Sequence, residues 1–360
     1  MDWYNDNWLY CKKITIDHTK VIADLTDQTI LVDLANLGSA FFSHVKSDGG
    51  DIRVTKSDGT TELPIDVVAI STGGSTGELH FKLTGTLSSA TDTEIYIYYG
   101  NSGASKYSDS ATFGAENAWA SHYKAVYHMN DLTSTTIKDS TVNRRNGTKA
   151  SQDNPNTDTG KIGQAQYFSG SSGDYILLPN DCFDALNTGS IQAWVKAYAT
   201  DGGYHIWGSQ ATNGLYFGHL SDNRAYVQSY PLPNQAYKMS NFMGSGFSHL
   251  CWKSSGSAWS AYLNGGTAET LVQIAGANEG VWYADIASGT TLNYLGRSPY
   301  GGYYFKGWID EWRISSDQFS EAKNKTDYNN QNSPSTFYSV GDEIPKPSVG
   351  MQPLFCLIIE

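Results

Sequence analysis

Polar and apolar residues alternate along most of this chain, and no stretch carries a sustained apolar stripe at helical spacing. Period-two alternation sends successive side chains to opposite faces, which is the mark of a half-buried strand. Two stretches are the most telling: residues 161–197, and residues 307–315 with the sequence GWIDEWRIS. Each alternates, and each is too polar on one parity to lie wholly inside a closed core. With many short strand signals between them, they are predicted to open and close one β-sandwich.

The same reading divides the chain. Strand signals at 13–17, 28–34, 51–55, 63–70, 78–83 and 94–99 are separated by Gly, Ser and Asp turns, so residues 1–110 are predicted to form a small β-sandwich. Gly100-Asn101-Ser102-Gly103 breaks the pattern, and residues 111–122 are a connector with one short helix. Residues 123–342 resume with strands near 164–168, 174–178, 189–197, 203–208, 214–219, 224–230, 247–253, 258–263, 291–296 and 303–314, the span of one large sandwich. Residues 320–325 are the best helical candidate, a turn or two at most. From 343 to 360 the chain is an extended tail: Pro345-Lys346-Pro347 is linker chemistry, and the apolar run 353–360 either docks locally or adds a strand to a neighbouring copy or partner in an assembly.

Composition sharpens this all-β picture. The chain has 360 residues, 13% of them aromatic, with 24 Tyr, 10 Trp and 36 Gly, a mixture suited to half-exposed strands and tight turns. The net charge of −12 and the lack of a basic cluster argue against nucleic acid as a partner. Cys11, Cys182, Cys251 and Cys356 form no CxxC pair, which leaves a zinc-ribbon reading without support and one disulfide open. The first residues have no signal-peptide pattern, and no apolar run is long enough to span a bilayer. The expectation is a protein of a virion, released by lysis, or an extracellular or cell-surface protein whose export signal lies elsewhere.

Several pieces of the second unit carry a resemblance: AVYHMND at 125–131, KDSTVN at 138–143, NGT at 146–148, GKIGQA at 160–165, DYI at 174–176, SIQAWVK at 190–196 and GWIDEWRI at 307–314. In this order they resemble the laminin-G-like, concanavalin A-like jelly-roll family. Trp8, KKI at 12–14, GDIRV at 50–54 and YYGN at 98–101 resemble an uncharacterised β domain that precedes such modules in bacterial, archaeal and phage surface proteins. The resemblance implies a glycan or a surface protein as ligand, and a structural Ca²⁺.

Strand parity then nominates residues. Ile191, Ala193 and Val195 share a core face, which puts Trp194 on the opposite face beside Gln192 and Lys196, either as a sugar-stacking platform or beneath covering loops. Tyr226, Gln228 and Tyr230 share a face in 224–230, and Trp207, Tyr216 and Trp282 are further aromatic candidates. Rings supply apolar area to a sugar, and amides pair with its hydroxyls. Ile309 and Ile314 cannot both face inward on a regular strand, so a bulge is expected near Asp310-Glu311. It would either aim Asp310 at the 139–146 loop, making Asp139, Asn143 and Asp310 a Ca²⁺ set, or leave Asp310 bonded to backbone amides. No Glu-x-Asp glycosidase pattern or phosphate loop occurs, so a non-enzymatic protein is expected over a glycoside hydrolase. His128, His205 and His219 are expected to be packed or surface residues. The best reading is a virion structural protein or, alternatively, a prokaryotic adhesin.

Overall fold

The computed structural model describes residues 2–132, 134–183, 186–198, 204–210, 213–231, 233–286 and 292–347. The apolar run at 353–360, with its expected role in assembly, lies outside the described residues, as does Cys356. The other three cysteines are free, buried thiols.

Four antiparallel sheets make two sandwiches. The first packs a five-stranded sheet, ordered Tyr338–Pro345, Tyr10–Ile16, Thr93–Tyr99, Arg53–Lys56, Glu62–Leu63, against a three-stranded sheet, Leu25–Asp33, Thr76–Leu87, Ile65–Ser71. Alternation on each strand fills the core between them with Ile14, Ile30, Val54, Leu79, Phe81, Ile95 and Ile97. The unexpected member is Tyr338–Pro345. The chain comes back after the second sandwich and adds an edge strand to Tyr10–Ile16, so the expected boundary at 342/343 falls inside a strand.

The second sandwich sets a nine-stranded sheet against a seven-stranded one. The nine-stranded order is Leu271–Ala275, Gln235–Met239, Ala225–Tyr230, Gly214–His219, Tyr204–Gln210, Leu292–Leu295, Ile176–Leu178, Gly147–Lys149, Thr136–Ile137. The seven-stranded sheet centres on Lys306–Ser315, which pairs along one edge with Gly189–Ala197. Along its other edge it pairs first with Gln164–Ser169 and then with Tyr123–Tyr127. Ile191, Ala193, Val195, Trp252, Ile309, Trp312 and Ile314 meet Leu215, Phe217, Val227 and Met239 across the core. The bulge expected near Asp310-Glu311 is present. Register shifts between Gln192 and Trp194, and Glu311 takes a left-handed φ of 52°. That extra residue lets Ile309 and Ile314 both face the core and turns Asp310, Glu311 and Arg313 to the other side.

The outer face of the seven-stranded sheet is not open. The helix Glu321–Asn332, three turns rather than one or two, and the three-stranded sheet of the first sandwich lie over it. Ser320 caps this helix by accepting from the Lys323 amide. Its buried face is polar: Gln192 donates to Asn324 and Asp327, and Asn330 pairs with both backbone groups of Leu31. The expected connector contributes a short 3-10 turn, Ala115–Ala118, whose neighbour Trp119 is wedged between the two sandwiches.

Candidate functional site

The outer face of the nine-stranded sheet carries the aromatic surface. Residues directly opposite one another in a ladder share a face, so the register fixes three rows across the sheet. One runs Ala236, Gln228, Tyr216, Gly208, Tyr294, Leu177; the next runs Lys238, Tyr226, Gly218, His205; the third runs Tyr230, Gly214. Parity thus places Tyr216, Tyr226, Gln228 and Tyr230 together. Gly208 and Gly214 let the Tyr216 ring lie down along the sheet. A Cβ on Gly214 would stand 1.8 Å from the Tyr216 hydroxyl, and one on Gly208 would stand 3.1 Å from its ring.

Two tyrosines that sequence reasoning missed complete the surface. The turn Arg297–Tyr304 holds two left-handed glycines, Gly301 and Gly302, at φ 76° and 78°. It folds Tyr300 and Tyr303 back over the sheet. Tyr303 stacks on His205 at 5.2 Å, His205 stacks on Tyr216 at 4.6 Å, and Tyr300 lies 6.1 Å from Tyr216. Tyr216 and Tyr226 are therefore a buried foundation, whereas Tyr230, Tyr300 and Tyr303 are each about half exposed. The available signal was the run SPYGGYYF at 298–305, in which a glycine pair sits inside a tyrosine cluster. Arg297 stacks between Tyr175 and Tyr294, at 4.8 and 4.6 Å from their centroids. Burial lowers the pKa of His205 to about 3, so at neutral pH it is an uncharged aromatic spacer. The Tyr216 and Tyr226 hydroxyls are raised by the same cause.

Other expected residues fall elsewhere. Trp194 does point away from its own core, but it is only 1% exposed. Tyr328 and His249 pack on its ring, Lys161 lies 5.3 Å from it, and its indole N–H donates to Gln331. It is not a platform, because the helix and the first sandwich seal that face. Trp207 is a core residue. A bulge between His205 and Trp207 makes Ile206 the extra residue, so Trp207 pairs with the core residue Phe217 instead of following His205 outward. Trp282 is also core. His128 and His205 are packed, in keeping with expectation, and His219 is buried as well.

The expected calcium set does not assemble. Asp139 accepts from the amides of Val126, Thr141 and Arg145 and from the Thr141 hydroxyl. Four donors occupy the four lone-pair sites of this carboxylate and leave none turned toward a cation. Asn143 turns its amide nitrogen to the carbonyls of Tyr123 and Lys124. Asp310 accepts from the amides of Lys161 and Ile162, both at 2.8 Å, so it takes the backbone-bonded alternative. Burial and the neighbouring Glu311 push its carboxyl well above the usual range. Among the described residues the fold gathers two other donor sets: Glu78, His80, His128 and Glu311, all buried at the seam between the sandwiches, and Asp17, His18 and Asp92, which are partly or fully exposed.

Residues 169–323 match the family model of the concanavalin A-like lectin/glucanases superfamily, and residues 48–144 match a domain of unknown function, DUF2341. The second sandwich is a concanavalin A-like domain. No curated protein sequence matches the chain. Among solved structures, domain 4 of AbnA, an extracellular GH43 arabinanase from Geobacillus stearothermophilus, in complex with arabinotriose, is similar at 22% identity and a TM-score of 0.42 over 57% of this chain and 97% of that one. The Trypanosoma rangeli sialidase is similar at 12% identity and a TM-score of 0.43, over 71% of this chain and 42% of the sialidase. The CBM40 of the Ruminococcus gnavus IT-sialidase, bound to α2,3-sialyllactose, is similar at 15% identity and a TM-score of 0.33, over 40% and 84%. Among the described residues, no helix is long and apolar enough to cross a membrane.

Proposed function

We propose that the concanavalin A-like domain is a non-catalytic glycan-binding module, and that its ligand lies on the tyrosine-rich outer face of the nine-stranded sheet. The observation that carries this reading is the layered arrangement there. Half-exposed Tyr300 and Tyr303 rest on a buried layer of His205, Tyr216 and Tyr226, with the Gln228 amide and Tyr230 alongside. A rigid foundation keeps the exposed rings from paying rotamer entropy on binding. Their faces meet the C–H side of a sugar ring, while hydroxyl and amide groups beside them serve its hydroxyls. The family description, which names lectins and glucanases, agrees with a sugar ligand.

A non-catalytic role fits the chemistry of the face. Among the described residues, Asp222 beside it is paired with Lys238 at 2.5 Å, and the adjacent acids Asp310 and Glu311 are buried on the far sheet. The common route of glycoside hydrolysis uses two carboxyl groups flanking one open site. Such a module suits a virion or cell-surface protein that holds on to a polysaccharide, and gene neighbourhood distinguishes those two settings.

The test is a glycan array with the full chain, followed by calorimetry on the best hit. Tyr300→Ala and Tyr303→Ala each remove roughly 100 Å² of stacking area, about 2 kcal/mol or ~30-fold in affinity, and lower the melting temperature by only a few degrees because half of each ring is already in solvent. Wild-type affinity in both variants would sink the assignment of the face. Hydrolysis of a bound glycan would overturn the non-catalytic part.

A further inference from the structure

We propose that the seam between the two sandwiches binds one divalent transition-metal ion of the zinc class, held by Glu78, His80, His128 and Glu311. Each sandwich supplies two of the four. Glu78 and His80 are two apart on Thr76–Leu87, so they share the face turned away from the core that Leu79 and Phe81 fill. His128 follows Tyr123–Tyr127, and Glu311 sits on the bulge of Lys306–Ser315. All four side chains are buried, and one donor atom from each lies within 4.8 Å of the others. The Glu311 carboxylate is 2.5 Å from His128 Nδ1, Glu78 Oε1 is 3.3 Å from the same nitrogen, and Glu78 Oε1 is 2.8 Å from His80 Nε2. Tetrahedral donors around zinc stand about 3.4 Å apart, so small rotamer adjustments seat an ion among them.

Three independent features point to a cation. Glu78 Oε2 is buried and has no hydrogen-bond partner among the described residues, which leaves a carboxylate oxygen unsatisfied beside the donor set. Three carboxylates, Asp66, Glu78 and Glu311, lie buried around the His80 and His128 imidazoles with the Arg313 guanidinium beside them, a set of acceptors that a dication would satisfy in place of protons on the imidazoles. The surroundings hold the donors in place as well. His128 Nε2 faces Asp66 at 3.4 Å, and Asp66 in turn accepts from the Trp119 indole at 3.3 Å. Glu311 Oε2 is held by Arg313, which lies 5.0 Å from the Trp119 ring. A histidine whose far nitrogen meets a carboxylate is the usual arrangement behind a metal-bound imidazole.

The backbone is strained where the donors are placed. Glu311 at φ 52°, and Met129 at φ 60° immediately after His128, are left-handed non-glycine residues. Such strain persists where the surrounding structure fixes it and concentrates at sites of function. Two imidazole nitrogens select zinc-class ions over calcium. A cleft of about 830 Å³, lined by Glu78 with Asn130, Lys161 and Gln164, gives an ion a way in. The alternative is a network of shared protons with no metal.

The full chain, stripped with a chelator at neutral pH, is titrated with Co²⁺ and followed by visible absorption, and with Zn²⁺ by calorimetry. One ion per chain, a visible Co²⁺ band and a rise of roughly 3–8 °C in melting temperature on zinc loading are the expected results. His80→Gln and Glu78→Gln should each weaken zinc at least tenfold. Absence of stoichiometric uptake by the folded wild-type chain, with the same melting temperature with and without zinc, would overturn the proposal in favour of the proton network. The wild-type titration decides this even where a variant fails to fold.

Discussion

His205 shows how one residue can be both structural and titratable. It lies between Tyr216 and Tyr303, and burial is the cause that lowers its pKa to about 3. Its folded pKa is below the unfolded value of about 6.5, so between those values the unfolded chain binds the extra proton and folding weakens as pH falls. By pH 5 this amounts to about 2 kcal/mol. His205→Phe keeps the stack and removes the titration. Denaturant melts at pH 7 and pH 5 should show the variant losing about 2 kcal/mol less than wild type; equal losses would mean that His205 is solvated. At this scale period two was legible. The pattern of 224–230 placed Tyr226, Gln228 and Tyr230 on one face, and the spacing of Ile309 and Ile314 required the bulge. Trp207 was not legible, because the single extra residue Ile206 reverses its side, and nothing local marks that insertion.

The helix Glu321–Asn332 and the edge strand Leu25–Asp33 belong to the next scale. An edge strand leaves outward N–H and C=O groups that must be covered. Asn330 does so at Leu31, accepting from its amide at 2.8 Å and donating to its carbonyl at 2.9 Å, and the Tyr338 hydroxyl accepts from the Asp33 amide. Asn330→Ala leaves two buried backbone groups unpaired and should cost roughly 2–4 kcal/mol, read from chemical denaturation. A cost near zero would show that water replaces the amide. The sequence marked this helix only as a turn or two, because its buried face is made of Asn, Thr, Asp and Gln rather than apolar residues. Apolar periodicity is silent for an element that packs through hydrogen bonds.

At the scale of the whole molecule the two sandwiches are joined by buried polar chemistry. Leu31, Ile162 and Trp194 pack across the seam beside the Glu78–His128–Glu311 network, and the terminal strand Tyr338–Pro345 ties the chain's return into the first sheet. Breaking such a seam leaves charges buried without partners. Calorimetry should therefore give one transition with equal calorimetric and van't Hoff enthalpies, and two resolved transitions would mean that the sandwiches melt independently.

Sequence by itself determined that the chain is all β and divides into two sandwiches, because alternation and turn chemistry act over a few residues, while the motifs from AVYHMND to GWIDEWRI carried the resemblance of the second to the concanavalin A-like family. It also fixed which neighbours on a strand share a face. Tertiary structure alone decided which faces stay open. Trp194 and the Tyr216–Tyr226 face have the same local signature, yet one lies beneath a helix from residues 321–332 and the other meets solvent through Tyr300 and Tyr303. The donors at the seam come from positions 78 to 311, and only the docking of one sandwich on the other brings them within reach of a single ion.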